Sequence, residues 1–415
     1  MNLFDEALKR ISEIIKFDSS QKPPLKGMPF GKGAFDCLEY FLKLAASYGF
    51  ETKNYDGYAG EVIFGEGEEF AILAHLDVVP AGGGWAHDPF GGEIDTVNKK
   101  IWGRGAMDDK GPAILTLLAM KELKDNGFVP KKKIKLIVGC NEESGWACID
   151  YYKAHANMPD TGFSPDADFP VIYAEKGILQ LELSFAPGDR FCGLTGGERA
   201  NMVCDYCEVS AQEDKAMLEK YNLEFKDGKV VSHGKSAHGS TPEMGVNAIK
   251  PVLKYLELNE MEKLLFEDGF GICSLFDETG KLTFSPNVIN QTEDGIKVIC
   301  DVRYPATLKR EQVLNAISAK GVSYKILHEQ APLFNDKQSG LITTLLTVYN
   351  EVTGKNAKPV AIGGGTYARA LKCGVAFGPE EEGEENTVHQ ANEYITFEKI
   401  EKCLKIYRLA IERLC

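Results

Sequence analysis

Two apolar runs in this chain end in groups that do not belong in a core. The first, FAILAHLDVV over residues 70–79, carries His75 and Asp77 near its end. The second, KIKLIVGC over 133–140, runs straight into Asn141, Glu142 and Glu143. Short, nearly continuous apolar runs bounded by turn residues read as strands covered on both faces. Such strands need helices beside them, and the pattern predicts one between the two runs, from about Pro112 to Asn126. Pro112 suits its first turn, where a missing N–H costs nothing. Alternation of this kind predicts an α/β fold with a mainly parallel sheet. Open sheets of that class place their sites beyond the carboxyl ends of the strands. His75, Asp77, Glu142 and Glu143 all fall there.

The rest of the chain fits around this frame. Leu3, Phe4, Ala7, Leu8, Ile11, Ile14 and Ile15 recur at helical spacing, which predicts a first helix with one buried face. A Pro-, Gly- and Lys-rich loop (21–33) precedes a second helix over about 34–48, and a short strand is expected at 61–64. Near Gly177 the pattern changes to β-rich pieces around a helix at about 245–266, and GIKVICDVRYP alternates like a half-buried antiparallel strand. After Leu333 it returns to helix (338–352), a Gly-rich strand and loop (VAIGGGTYAR) and an amphipathic helix at 397–413. The organisation read from this is a catalytic α/β domain, residues 1–177 and 331–415, interrupted by an inserted α+β domain at 178–330.

Composition limits the partners. A formal charge of −14 over 415 residues argues against nucleic acid and anionic membranes, both of which need a basic surface. The one compact basic run, Lys131-Lys132-Lys133, reads as the solvated start of a strand. No run of 18 apolar residues predicts a membrane span. MNLFDEALKR opens on an amphipathic pattern rather than an apolar signal core, and eleven scattered cysteines favour reduced thiols. The expected location is the cytoplasm. Cys204 and Cys207 form a lone C-x-x-C in a strand-like run, a spacing that points them to opposite faces and makes a poor chelate.

The chemistry lies in a longer set: His75, Asp77, Asp108, Glu142, Glu143, Asp166 and His389. Imidazole nitrogen and carboxylate oxygen are ligands for zinc, cobalt or manganese. If two histidines and three carboxylates bind metal, their charge is −3; two divalent ions add +4, and one bridging hydroxide leaves the centre neutral. Asp108 and Asp109 lie between a glycine turn and the Pro112 helix, where Asp109 serves equally well as a helix cap. His75 and Asp77, two apart on a strand, share a face, the arrangement of a ligand and the carboxylate that fixes its ring. Each residue alone has a bland reading as a turn, cap or strand-exit residue. Their joint order predicts a two-metal hydrolase. GGGTYAR lacks the G-K-[ST] ending of a phosphate loop, so close backbone approach and a tight turn both stay open.

HLDVVP, GWAHDPFGG, WGRGAMDDKG, NEESGWACIDYY, SPDADFP, GGERANMV, GKSAHGSTP, DVRYP, GGGTYAR and TVHQANEY follow one another from residue 75 to 395. In these motifs the chain resembles the di-zinc metallopeptidases and amidohydrolases of aminoacylase, acetylornithine deacetylase and glutamate carboxypeptidase type, most of all their PepV-type bacterial dipeptidases. The resemblance implies that His75 and Asp166 hold one ion and Glu143 and His389 the other, with Asp108 bridging and the Asp108–Asp109 peptide cis. It implies that Asp77 orients His75 and that Glu142 is the general base. It makes the insertion a lid in which His238 stabilises the oxyanion, Asn201 lies near the same oxygen, and Arg303 pairs the substrate's C-terminal carboxylate. Gly365 would contact substrate through its backbone.

The expected function is therefore hydrolysis of dipeptides by a metal-bridging hydroxide, with two divalent ions as cofactors, zinc first and manganese or cobalt open. An N-acyl-amino-acid deacylase or desuccinylase would use the same centre, and a metal-binding protein without turnover is the reading from another class. The family holds dimers and enlarged-lid monomers; an insertion from 178 to 330 leans toward a monomer, with a homodimer open.

Overall fold

Phe70 to Ala74 are completely buried in strand Glu69–His75, as a run apolar on both faces must be. The computed structural model describes residues 2–186 and 191–415. It divides into one unit of Met1–Tyr173, Asn335–Val360 and Thr366–Cys415, and a second of Ala174–Phe334 with Ala361–Gly365.

In the first unit the strands lie in the order Glu51–Tyr55, Ala59–Phe64, Lys133–Gly139, Glu69–His75, Thr161–Ser164 and Cys373–Ala376. The last four are mutually parallel, and the first two add an antiparallel hairpin at the edge. The register sets His75 level with Gly139 and Phe163 level with Val375. The segments leaving His75, Gly139, Ser164 and Ala376 therefore emerge at one end of the sheet, the end where α/β folds build sites. Helix Lys110–Asp125 is buried without interruption from Lys110 to Met120, because KGPAILTLLAM has no polar stripe to turn outward. It packs against Leu3–Ile15 and Phe397–Leu414. The last helix is capped by Thr396, whose Oγ1 accepts the Lys399 N–H at 3.1 Å.

Strand Glu51–Tyr55 falls outside the apolar runs of the sequence, because ETKNY is a polar edge strand. Its signal was the turn: Asp56 and Gly57 both have positive φ, 49° and 76°, the geometry that favours Asp-Gly in hairpins.

The second unit is an eight-stranded antiparallel sheet in the order Glu224–Lys226, Lys229–His233, Tyr206–Ser210, Cys192–Gly196, Thr283–Thr292, Gly295–Tyr304, Gly177–Phe185 and Ser323–Gln330. Leu179, Leu181 and Leu183 alternate inward and stand opposite Val302, Cys300 and Val298. Ile249, Val252, Leu265 and Ile317 from three helices complete that core. The single helix expected at 245–266 is in fact two, Ile249–Tyr255 and Asn259–Phe266. Glu257 between them adopts φ 56°, a left-handed step that ends a helix and that a hydrophobic pattern does not reveal. Cys204 and Cys207 are both buried in this core, and burial pushes the Cys204 thiol up to about 12. They pack as small apolar residues. Among the described residues no helix is long and apolar enough to cross a membrane.

Candidate metal centre

The first unit brings His75, Asp108, Glu143, Asp166 and His389 together at the carboxyl end of its sheet. Asp108 is the pivot. Its Oδ1 lies 2.8 Å from His75 Nε2 and its Oδ2 lies 2.8 Å from His389 Nε2. Asp166 Oδ2 stands 3.6 Å from His75 Nε2, and Glu143 Oε1 stands 3.0 Å from His389 Nε2. Each half thus has one imidazole, one carboxylate of its own and one oxygen of the shared Asp108. Ligand atoms of His75, Asp108 and Glu143 all fall within 4.8 Å of one another. The Asp108–Asp109 peptide is cis.

The donor set fits divalent cations. His75 Nδ1 lies 3.0 Å from the Asp77 carbonyl oxygen, so Nδ1 carries the proton and Nε2 presents a lone pair. That Nε2 is buried and makes no hydrogen bond among the described residues. A buried acceptor aimed at carboxylate oxygens is an unmet demand for a cation. The acids tell the same story. Burial, with Asp108 and Glu143 nearby, pushes Asp166 up to about 7. Burial also raises Glu142 well above the usual carboxylate range, with Asp166, Glu143 and Asp77 adding to the rise. A crowd of acids in this state is one that metal charge relieves.

Asp77 does more than the sequence reading assigned it, and by a different atom. The strand ends at His75, so the two residues do not share a strand face. The ring is held by the Asp77 backbone carbonyl, while the nearer carboxylate oxygen sits at 3.7 Å. The carboxylate instead accepts the backbone N–H groups of Glu142 at 2.9 Å and Glu143 at 3.1 Å. One residue therefore orients a ligand imidazole and pins the loop bearing the two glutamates. Burial pushes Asp77 up to about 6. Asp109 occupies the cap position of helix Lys110–Asp125 but makes no capping bond; its Oδ2 accepts the His75 N–H at 3.0 Å.

Glu393 was missed by the sequence reading. It is fully buried and pairs with Arg104 at 2.7 Å. Its Oε1 accepts the N–H groups of Gly105, Met107 and Asp108 at 3.0, 2.9 and 3.3 Å. This carboxylate ties the Asp108 loop to the segment that carries His389. The only sequence signal was a charged residue inside HQANE and another inside the glycine turn GRG.

In the second unit, His238 Nδ1 accepts the Ser240 backbone N–H at 3.2 Å and lies 2.7 Å from Ser240 Oγ. An amide can only donate, so Nδ1 is the acceptor and Nε2 bears the proton. Asn201 sits beside this turn: its carbonyl accepts the Gly239 N–H at 2.7 Å, and Met202 bridges to His238. Arg303 is buried with its fork on Asp301, Nε to Oδ1 at 2.5 Å and Nη2 to Oδ2 at 2.9 Å. Nη1 donates to the Gly363 carbonyl at 3.0 Å. Three of its five N–H donors are thus engaged within the unit, leaving one on each terminal nitrogen. Gly365 lies in the same short segment, Ala361–Gly365.

The chain as a whole has relatives among known proteins. Residues 71–413 match the model of Peptidase family M20/M25/M40. A Beta-Ala-Xaa dipeptidase of Lactobacillus delbrueckii subsp. lactis is 34% identical over 454 residues, covering 99% of this chain and 96% of that protein. The putative dipeptidase YtjP of Bacillus subtilis (strain 168) is 34% identical over 428 residues, 94% of this chain and 92% of the relative. Among solved structures, the fold is similar to an M20 family metallo-carboxypeptidase of Sulfolobus solfataricus, with a TM-score of 0.61, 17% identity and coverage of 98% and 99%. It is likewise similar to a di-peptidase of Saccharomyces cerevisiae, at TM-score 0.61, 13% identity and coverage of 99% and 95%.

Proposed function

The chain belongs to Peptidase family M20/M25/M40, and on that premise we propose that it is a metal-dependent dipeptidase. The observation that carries the reading is the split of the two Asp108 oxygens between His75 and His389, each histidine with a carboxylate of its own. His75 and Asp166 would hold one ion, His389 and Glu143 the other, and Asp108 both, with zinc as the native metal and manganese or cobalt as alternatives that these ligands accept. Metal held by these residues would supply Lewis-acid chemistry, lowering the pKa of a water and polarising the scissile carbonyl.

The remaining work falls to side chains. Glu142, raised in basicity by its burial and by the acids beside it, takes the proton of the attacking water and returns it to the leaving amine. Asp77 holds Glu142 and Glu143 at a fixed height above the strand ends through their amides. His238 donates from Nε2 to the developing oxyanion, a role supported by the tautomer its Ser240 contact imposes. Asn201, on the neighbouring backbone, is assigned to the same oxygen. Arg303 takes the substrate's free carboxylate through its two remaining donors, with the Gly365 segment beside it. Residence in the cytoplasm fits eleven cysteines that are all unpaired.

The test is a matched panel of dipeptides, tripeptides and N-acetyl amino acids, assayed with metal-stripped protein and with protein reloaded with zinc or manganese. Metal-dependent cleavage confined to dipeptides is the expected result. Cleavage of acyl-amino acids in preference would make the chain a deacylase with the same centre.

A further inference from the structure

Trp146 is a poor choice for the backbone it occupies. It sits at the N-cap of helix Ala147–His155 with φ 65° and ψ 13°, in the left-handed region, and provides no side-chain cap. Small polar residues or glycine suit such a position, and a bulky side chain there costs roughly 1–2 kcal/mol. Local misfits that survive are candidates for function, provided an observation says which one. Here the indole supplies it. Trp146 Nε1 donates to Glu142 Oε1 at 3.1 Å.

The ring is held so that this donor has a fixed direction. It meets Tyr367 edge to face, with centroids 5.2 Å apart at 77°. Tyr367 is fully buried, its hydroxyl lies 2.8 Å from Cys148 Sγ, and its ring also stands edge-on to His75 at 6.0 Å. Gly139 makes room for it, since a Cβ there would come within 2.2 Å of the tyrosine hydroxyl. The loop itself is wound around Asn141, which accepts the Trp146 N–H on its carbonyl at 2.8 Å and the Ala147 N–H on its side chain at 3.0 Å. Glu142 is thus held from both ends: its amide by Asp77 and its carboxylate by the indole.

We infer that Trp146 is a positioning residue for Glu142, its indole N–H holding Oε1 so that Oε2 faces the proton to be moved. The inference rests on the assignment of Glu142 as general base. Nothing is transferred to or from the indole, which donates one hydrogen bond throughout. A side chain that fixes a base without touching substrate acts on kcat and leaves substrate binding alone.

The experiment uses full-length, metal-reloaded protein with a good dipeptide. Trp146→Phe keeps the ring against Tyr367 and deletes only the donor. The expected result is a kcat lowered roughly 10- to 100-fold, with KM changed by no more than about twofold and metal content unaltered. Wild-type kcat in Trp146→Phe, beside an inactive Glu142→Ala, overturns the inference while the base assignment stands. Near-normal turnover in Glu142→Ala sinks the base assignment itself. A second readout does not depend on turnover or on the folding of Trp146→Phe. The chain has three tryptophans; Trp85 donates to the Ala81 carbonyl and Trp102 to Asp95. Indole 15N–1H resonances, assigned by elimination with Trp85→Phe and Trp102→Phe, should show only the Trp146 signal moving in Glu142→Gln. An unmoved Trp146 signal overturns the contact.

Discussion

The two units hold their candidate site residues in different ways. In the first, partners come from far along the chain: Asp77 grips amides 65 and 66 residues away, and Glu393 grips amides up to 288 residues away. In the second, the side chains of His238 and Arg303 are oriented by residues only two positions away, Ser240 and Asp301. A sheet whose strand ends are aligned by register can gather residues from anywhere in the sequence, so its site is a product of the whole fold. A turn can fix a tautomer by itself. The first unit's geometry should therefore fail when distant ties are cut, and the second unit's should survive most local changes.

The largest expected effect is at the pivot. Asp108→Ala removes an oxygen from each half of the centre, and turnover should vanish together with bound metal, read by elemental analysis. Metal retained in full by that variant would mean the two histidines do not share this carboxylate. Glu142→Ala is next: both ions stay, and kcat falls by about 10²–10⁴-fold. Loss of metal in this variant would show Glu142 to be a ligand rather than a base. His238→Ala tests the other unit, with kcat expected to drop about 10²–10³-fold, as for the loss of an oxyanion donor, and metal content untouched. An unchanged kcat would leave the second unit without a part in the chemistry.

Glu393→Gln sharpens the comparison because Glu393 holds the Asp108 loop without being one of the candidate metal ligands. Glutamine still offers an oxygen to the three amides but leaves Arg104 buried without its charge partner. Metal affinity, measured by competition with a chelator, should weaken by roughly 10- to 100-fold, the usual effect of losing a group that supports ligands from behind. Affinity equal to that of the unaltered protein would mean that the loop holds its shape without the tie.

These ties also mark the limit of what the sequence reveals. The apolar runs at 70–79 and 133–140 and their polar ends were legible because parallel strands are apolar along their length, and a histidine or acid inside one stands out. The α/β frame, the antiparallel character of GIKVICDVRYP and the terminal helices follow from the same periodicities. Glu393 and Arg104 were not legible, since nothing in the sequence pairs two charges 289 residues apart. Nor was the break at Glu257, which depends on one backbone angle. Asp109 looked like a cap because its position is that of a cap; only the fold shows its carboxylate turned to the His75 amide. His238 stands out in the sequence only through the motif resemblance, because a two-residue turn leaves no periodic trace.

The smallest expected effect is the most discriminating. Ser240 gives His238 Nδ1 two neighbours, a backbone N–H at 3.2 Å and a hydroxyl at 2.7 Å. The amide alone suffices to make Nδ1 an acceptor and to leave the proton on Nε2. Ser240→Ala removes the hydroxyl and keeps the amide, so kcat should fall by no more than about tenfold, the worth of one ordinary hydrogen bond. The imidazole 15N shifts should still report the Nε2–H tautomer, and metal affinity should not move. A loss as deep as that of His238→Ala would show that the hydroxyl, and not the backbone, sets the tautomer. The second unit would then depend on a side chain as sharply as the first depends on Asp77, and the contrast between fold-built and turn-built positioning would collapse at the one place where it can be measured without disturbing either core.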